Sequence, residues 1–228
     1  MSDSLRSRLD SIRRRIDEAC RRAGRATEEV TLLPVSKTFP SDVLREAAAL
    51  GIRRFGESRM QEIRQKDVDL ADIKPQWVLI GHLQTNKAKD AARFVTEVQS
   101  LDRWALAEAL DTRLKAEDRV IDVLVQVKTS PEPSKFGLDP GELPEFLQRL
   151  SELSTLRVKG LMTMAVNSTD EQAVRACFRS LRELREQMVG RGHTQLSRLS
   201  MGMSGDFELA IEEGSTEVRI GSAIFGAR

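Results

Sequence analysis

The sequence predicts an α/β fold: a single (β/α)8 barrel of the TIM type with an extra N-terminal helix. Three observations predict it. Eight short apolar runs alternate with segments of helical period, which argues for parallel strands joined by helices. Residues with distinctive chemistry gather where those runs end, as they do in barrels. The turn after the first run, Ser36-Lys-Thr-Phe-Pro40, lacks the glycines that an open dinucleotide-binding sheet places there.

The elements follow in order. Leu5, Leu9, Ile12, Ile16 and Ala19 recur at spacings of three and four and predict a first helix, capped by Ser2 or Ser4 and ended by Gly24. Acidic residues are interspersed around Arg13-Arg14-Arg15, so that run reads as a solvated helix face and not as a nucleic-acid contact. Strands are predicted over 31–35, 52–55, 77–80, 94–98, 120–127, 157–162, 198–201 and 217–220. Helices over 41–50, 58–70, 86–93, 102–116, 142–153, 170–189 and 206–213 follow the first seven strands, and none is predicted after the eighth. No repeat or linker interrupts the series, so residues 1–228 read as one domain.

Composition narrows the function. An apolar fraction of 40% supports a core of useful size. With 36 basic and 35 acidic residues the net charge is +1, which gives no global attraction to nucleic acid or to an anionic membrane. Cys20 and Cys177 sit in helical patterns and form neither a disulfide framework nor a zinc motif. The start, Met1-Ser-Asp-Ser-Leu-Arg6, lacks the apolar core of a signal peptide, and no uncharged run is long enough to span a bilayer. The expected compartment is the cytoplasm and the expected state a monomer.

Lys37 carries the most information. It closes the run Val30-Thr-Leu-Leu-Pro-Val-Ser-Lys37, so one ammonium group stands at the end of a buried strand. A lysine after a strand is ordinarily a solvent-exposed turn residue. A lysine facing a pocket is instead a nucleophile for carbonyl compounds. Downstream, Ser200-Met-Gly-Met-Ser-Gly-Asp206 and Arg219-Ile-Gly-Ser222 supply glycine amides, hydroxyls and the start of a helix near Gly205, the makings of an anion cradle. Barrel phosphate sites often use the loops after strands seven and eight. An amine opposite a phosphate cradle suits pyridoxal phosphate held as a Schiff base. Other strand ends contribute Glu57-Ser58, Gly81-His82, Asn86-Lys87, the loop Ser134-Lys-Phe-Gly137, and Met162-Thr-Met164. Met162, Met164, Met201 and Met203 fit core filling as well as ligand contact. His82 fits either a general base or a turn anchor.

Several runs resemble the pyridoxal phosphate homeostasis protein family. They are Leu33-Pro-Val-Ser-Lys37, Phe55-Gly-Glu57, Trp77-Val-Leu-Ile-Gly-His-Leu-Gln-Thr-Asn-Lys87, Gly160-Leu-Met-Thr163, Leu199-Ser-Met-Gly-Met-Ser-Gly-Asp-Phe-Glu208 and Gly214-Ser-Thr-Glu-Val-Arg-Ile-Gly-Ser-Ala-Ile-Phe-Gly226. The resemblance implies a barrel like the N-terminal domain of bacterial alanine racemase, without that enzyme's second domain. It implies that Lys37 forms the Schiff base, that Ser204, Gly221 and Ser222 hold the phosphate, and that Arg219 faces the pyridine nitrogen. Ser58, His82, Met201 and Gly205 complete the expected contact set, with no metal. Ser58 stands where the family often has Asn, and Ser222 where it often has Thr. A serine keeps the hydroxyl at 222 but not the reach of an amide at 58.

Carrier and enzyme remain as alternatives. A cationic arginine at the ring nitrogen disfavours its protonation and weakens the cofactor as an electron sink. Racemisation then needs two well-placed bases; in alanine racemase, which the barrel resembles, the second is a tyrosine, and this chain holds none, which leaves a residue such as His82 to substitute. The leading expectation is a protein that buffers or delivers pyridoxal phosphate, with apo-enzymes that use it as candidate recipients. The alternatives are a low-activity amino-acid racemase or lyase and, less favoured, an aldolase-like barrel acting on a sugar phosphate.

Overall fold

A computed structural model describes residues 4–132 and 135–226. Its first element is α1 (Leu5–Arg22), capped by Ser4, whose side chain accepts the Ser7 N–H. Ser2, the other cap expected, lies outside the described residues, as does Ser134. The apolar stripe Leu5, Leu9, Ile12, Ile16 and Ala19 is buried, and Gly24 at φ 65° turns the chain away.

The strands are β1 (Thr31–Pro34), β2 (Arg54–Glu57), β3 (Gln76–Leu79), β4 (Val95–Leu101), β5 (Ile121–Gln126), β6 (Leu156–Met162), β7 (Arg198–Ser200) and β8 (Glu217–Ile220). Between them run α2 (Ser41–Ala49), α3 (Met60–Asp69), α4 (Ala88–Phe94), α5 (Trp104–Ala116), α6 (Leu143–Leu150), α7 (Glu171–Gly190) and α8 (Phe207–Glu212). All pairings are parallel, in the order β1-β8-β7-β6-β5-β4-β3-β2. A bridge between Val35 and Gly56, with the Ser36 N–H donating to the Gly56 carbonyl at 2.9 Å, brings β1 to β2 and completes the ring. The predicted (β/α)8 barrel with its extra N-terminal helix is the fold observed.

Boundaries fall within three residues of expectation, and two differences have a visible cause. The second strand starts at Arg54 instead of 52, because the Ile52 N–H still caps α2 by donating to the Ala47 carbonyl at 3.2 Å. A one-turn helix, α9 (Ser222–Phe225), follows β8. Arg8 of α1 holds it, donating to the Ile224 carbonyl at 2.6 Å.

Most buried apolar side chains form one cluster between the strands and the surrounding helices, including Phe55, Trp77, Val98, Phe178, Leu199 and Phe207. Inside the ring the filling is different. Alternation puts Glu217 and Arg219 of β8 on one face, and Glu97 and Gln99 of β4 likewise. Buried Glu97 and Glu217 meet half-buried Arg54 and Arg198 in a lattice: Arg54 reaches Glu217 at 2.6 Å and Glu97 at 2.8 Å, and Arg198 reaches them at 2.7 and 2.8 Å. Burial pushes the Glu217 carboxyl up, but Arg54 and Arg198 pull it further down, to a net position below its ordinary 4.5. No described helix is long and apolar enough to cross a membrane.

Candidate functional site

The carboxyl ends of the strands surround a cavity of about 360 Å³, a size typical of small-molecule sites. Lys37, Ser58, His82, Ser204, Gly205, Arg219, Gly221 and Ser222 all line it. Met201 does not. Ser200 faces into the ring, so Met201 on the same strand end faces outward and lies fully buried in the apolar layer under the helices. The cavity also uses Val35, Ile80, Gly81, Gln126, Phe136, Met162, Met164 and Met203. Met162, Met164 and Met203 belong to the group read as either core or contact. Val35 and Gln126 each end a strand run, which is the signal that marks them.

Lys37 is half-buried at the end of β1, and among the described residues no hydrogen bond or ion pair engages its amine. Two other lysines on strand-end loops are placed differently. Lys135 is held by Glu132 at 2.6 Å and by the Ala165 carbonyl, and it lines a neighbouring groove. Lys87 lines another groove, which shares Ser58 and His82 with the central cavity.

Opposite Lys37 the backbone is left unsatisfied. After β7, Gly202 takes φ 96°, and a Cβ there would lie 2.6 Å from that of Ala210, so only glycine makes this turn. Asp206 then closes the loop by accepting the Met203 N–H at 2.6 Å. The N–H groups of Ser204, Gly205, Gly221 and Ser222 have no acceptor among the described residues. Four such donors in two adjoining loops, with two hydroxyls, suit an anion. The helix start expected near Gly205 is α8, which begins at Phe207 and runs only to Glu212, so loop amides and not a long helix dipole carry the cradle.

Arg219 is buried beside them. Its guanidinium donates to Ser200 Oγ at 2.8 Å and to the Thr163 carbonyl at 2.8 Å, both uncharged acceptors. Burial pulls its pKa down to about 10, against the pull of the Glu217 and Asp206 carboxylates, so it stays cationic at neutral pH.

On the far wall His82 stacks on Phe136, with ring centroids 3.9 Å apart and planes at 19°, and its Nδ1 lies 3.4 Å from Asp102 Oδ2. Ser58 packs against Gly81, where a Cβ would come within 2.2 Å of the Ser58 carbonyl oxygen. Among the described residues no group of three or more His, Cys, Asp or Glu side chains is placed to hold a metal ion.

The molecule is thus a (β/α)8 barrel whose carboxyl-end cavity sets one unengaged amine and one buried arginine beside unpaired backbone donors. The family model described as "Alanine racemase, N-terminal domain" matches residues 7–228. A pyridoxal phosphate homeostasis protein of Aquifex aeolicus is 43% identical over 221 residues, with 97% of each chain covered. Its counterpart in Pseudomonas aeruginosa is 42% identical over 210 residues, covering 92% of this chain and 90% of that one. The solved structure of PipY from Synechococcus elongatus with pyridoxal phosphate bound has a TM-score of 0.87 at 36% identity, covering 98% of this chain and 100% of PipY. An alanine racemase of Clostridium difficile shares the fold with a TM-score of 0.77 at 14% identity; this chain spans 56% of it. The chain belongs to the alanine racemase N-terminal domain family, and within it to the pyridoxal phosphate homeostasis proteins.

Proposed function

We propose that this chain binds pyridoxal phosphate and buffers or delivers it inside the cell, with the cofactor held as a Schiff base on Lys37. The observation that carries the reading is the unengaged Lys37 amine sharing one cavity with the unpaired amides of Ser204, Gly205, Gly221 and Ser222. A relative that covers this whole barrel, PipY, is solved with pyridoxal phosphate bound. The donor set fits the group: amides and hydroxyls for the phosphate, Met162, Met164 and Ile80 for the ring, and Arg219 as its polar neighbour.

Pyridoxal phosphate supplies an aldehyde and an electron-poor pyridine ring. Lys37 Nζ would hold the group at that aldehyde: a C=N bond would replace the C=O bond, and the oxygen would leave as water with two protons from the amine. The two loops orient the phosphate through charge-assisted hydrogen bonds. Arg219, which lines the cavity, would face the ring nitrogen and, as a cation, would disfavour its protonation.

That last role favours a carrier over a racemase or lyase. The sequence holds no tyrosine to act as a second base, although His82 lines the same cavity. The carrier reading predicts negligible exchange of the α-hydrogen of L-alanine or other amino acids when the loaded protein is incubated in deuterium oxide. Turnover of about one per second or faster would overturn it. Delivery to apo-enzymes, cytoplasmic residence and a monomeric state complete the proposal; native mass spectrometry of the loaded protein at several concentrations tests the last.

A further inference from the structure

The turn that presents Lys37 is gripped on both sides, and the grip comes from outside the barrel wall. On one side stands Ser36. Its N–H donates to the Gly56 carbonyl at 2.9 Å, its hydroxyl donates to Glu57 Oε1 at 2.6 Å, and its carbonyl accepts from Lys66 Nζ at 2.9 Å. On the other side stands Thr38, whose N–H donates to Glu62 Oε2 at 2.7 Å. Thr38 has φ 70°, a left-handed conformation that a β-branched residue resists.

Lys66 of α3 joins the two sides. Its ammonium meets the Ser36 carbonyl, Glu57 Oε1 at 2.6 Å and Glu62 Oε2 at 3.1 Å, three acceptors for three protons. Lys66 and Glu57 are 5% and 0% exposed. A buried ion pair is a poor way to gain stability, because apolar residues of the same volume do as well or better. Here it is also incomplete, since Glu57 Oε2 has no partner among the described residues. Such an arrangement suits positioning better than stabilisation.

We propose that Lys66, acting with Glu57 and Glu62, is the positioning residue for Lys37: it locks the strained Ser36–Thr38 turn in the one conformation that delivers the Lys37 amine to the cavity. None of the three lines that cavity. The inference rests on Lys37 as the covalent anchor, and the experiment separates failure of that reading from failure of this one.

Two ligands are compared by equilibrium titration. Pyridoxal phosphate uses the phosphate cradle, the ring wall and Lys37. Deoxypyridoxine phosphate has the same ring and phosphate but no aldehyde, so it reads the cavity without Lys37. The affinity ratio of the two measures attachment alone. Lys66→Met should lower that ratio by about tenfold to a hundredfold, as misplacement of a reacting group does. Binding of deoxypyridoxine phosphate should stay within about twofold. Glu62→Ala, at a partly exposed side chain, should lower the ratio in the same direction and decides the matter if Lys66→Met fails to fold. Adding Thr38→Gly to Glu62→Ala should restore the ratio, because glycine takes φ 70° without the clamp. A ratio unchanged in Lys66→Met and Glu62→Ala, while Lys37→Ala abolishes it, overturns the positioning role and keeps the anchor. Equal loss for both ligands in these variants marks a merely structural role and also overturns it. A ratio unaffected by Lys37→Ala overturns anchor and positioning together.

Discussion

The two ends of this barrel are built on opposite rules. At the amino ends of the strands the interior is saturated. Arg54 and Arg198 each pair with both Glu97 and Glu217, and Gln99 donates to both carboxylates. At the carboxyl ends, among the described residues, the Lys37 amine is unengaged, four loop amides lack acceptors, and Arg219 rests on neutral oxygens. Both ends are polar and both lie inside the same ring. The difference teaches that in a barrel polarity does not mark the site; unsatisfied polarity does. A saturated lattice has nothing left to offer a ligand, and removing one member leaves its neighbours stranded.

The largest effect should come from breaking the saturated end. Glu217→Leu removes a fully buried carboxylate and leaves two half-buried guanidinium groups short of a partner, and should destabilise the fold by about 3 kcal/mol or more, read from urea unfolding. Lys37→Ala, at the open end, should shift the same unfolding curve by no more than about 0.5 kcal/mol while abolishing covalent attachment. Similar stability losses from the two substitutions would erase the contrast.

Acid should expose the saturated end next. The folded-state pKa of Glu217 lies below its ordinary 4.5, so its contribution is present above that value and is lost as pH falls through the lower, folded-state value. Glu57 is shifted the other way: burial raises its carboxyl, against the bonds from Lys66 and Ser36. Its raised pKa favours the fold below its ordinary 4.5, and that contribution is lost as pH rises through the folded-state value. Glu217→Gln should therefore flatten the acid limb of a stability-against-pH curve, whereas Glu57→Gln should leave that limb and cost less at neutral pH. Identical limbs for wild type and Glu217→Gln would contradict the assignment.

The open end yields smaller free-energy changes of its own. Charge-assisted hydrogen bonds are worth roughly 1.5–3 kcal/mol each, so pyridoxal without its phosphate should bind about tenfold or more weakly. Ser204→Ala with Ser222→Ala should lose part of that preference and leave unfolding unchanged. Equal affinities for the two vitamers in the wild type would remove the phosphate from these loops. The smallest effect belongs to Met201. It lies in the apolar layer outside the ring, so Met201→Leu should cost under about 1.5 kcal/mol and leave pyridoxal phosphate affinity untouched. A marked loss of affinity would return Met201 to the site.

The sequence made the open end legible and left the saturated end unread. Lys37, Ser58, His82, Ser204 and Ser222 could be found because each follows a recognisable strand, and strand ends converge in a barrel; Arg219 lies inside β8 and stands out only through its neighbours Gly221 and Ser222. The lattice could not. Arg54, Glu97, Arg198 and Glu217 sit within short strands, where a charge on the inner face looks the same as one facing water until the ring closes. Glu57 is legible as a strand-end residue, but its partner Lys66 is not, because it lies nine residues on, across a strand-to-helix turn. Met201 stands one residue beyond β7, a position that suggests cavity contact, but the two-residue alternation turns it outward. Orientation at a strand end, more than position, is what a single sequence conceals.

Covalent attachment at Lys37 is the central claim, and one measurement addresses it directly. The protein is loaded with pyridoxal phosphate, reduced with borohydride and digested, and the modified peptide is mapped by mass. A single stoichiometric adduct on Lys37, absent in Lys37→Ala, is expected. An adduct on Lys87 or Lys135 with Lys37 unmodified would contradict it.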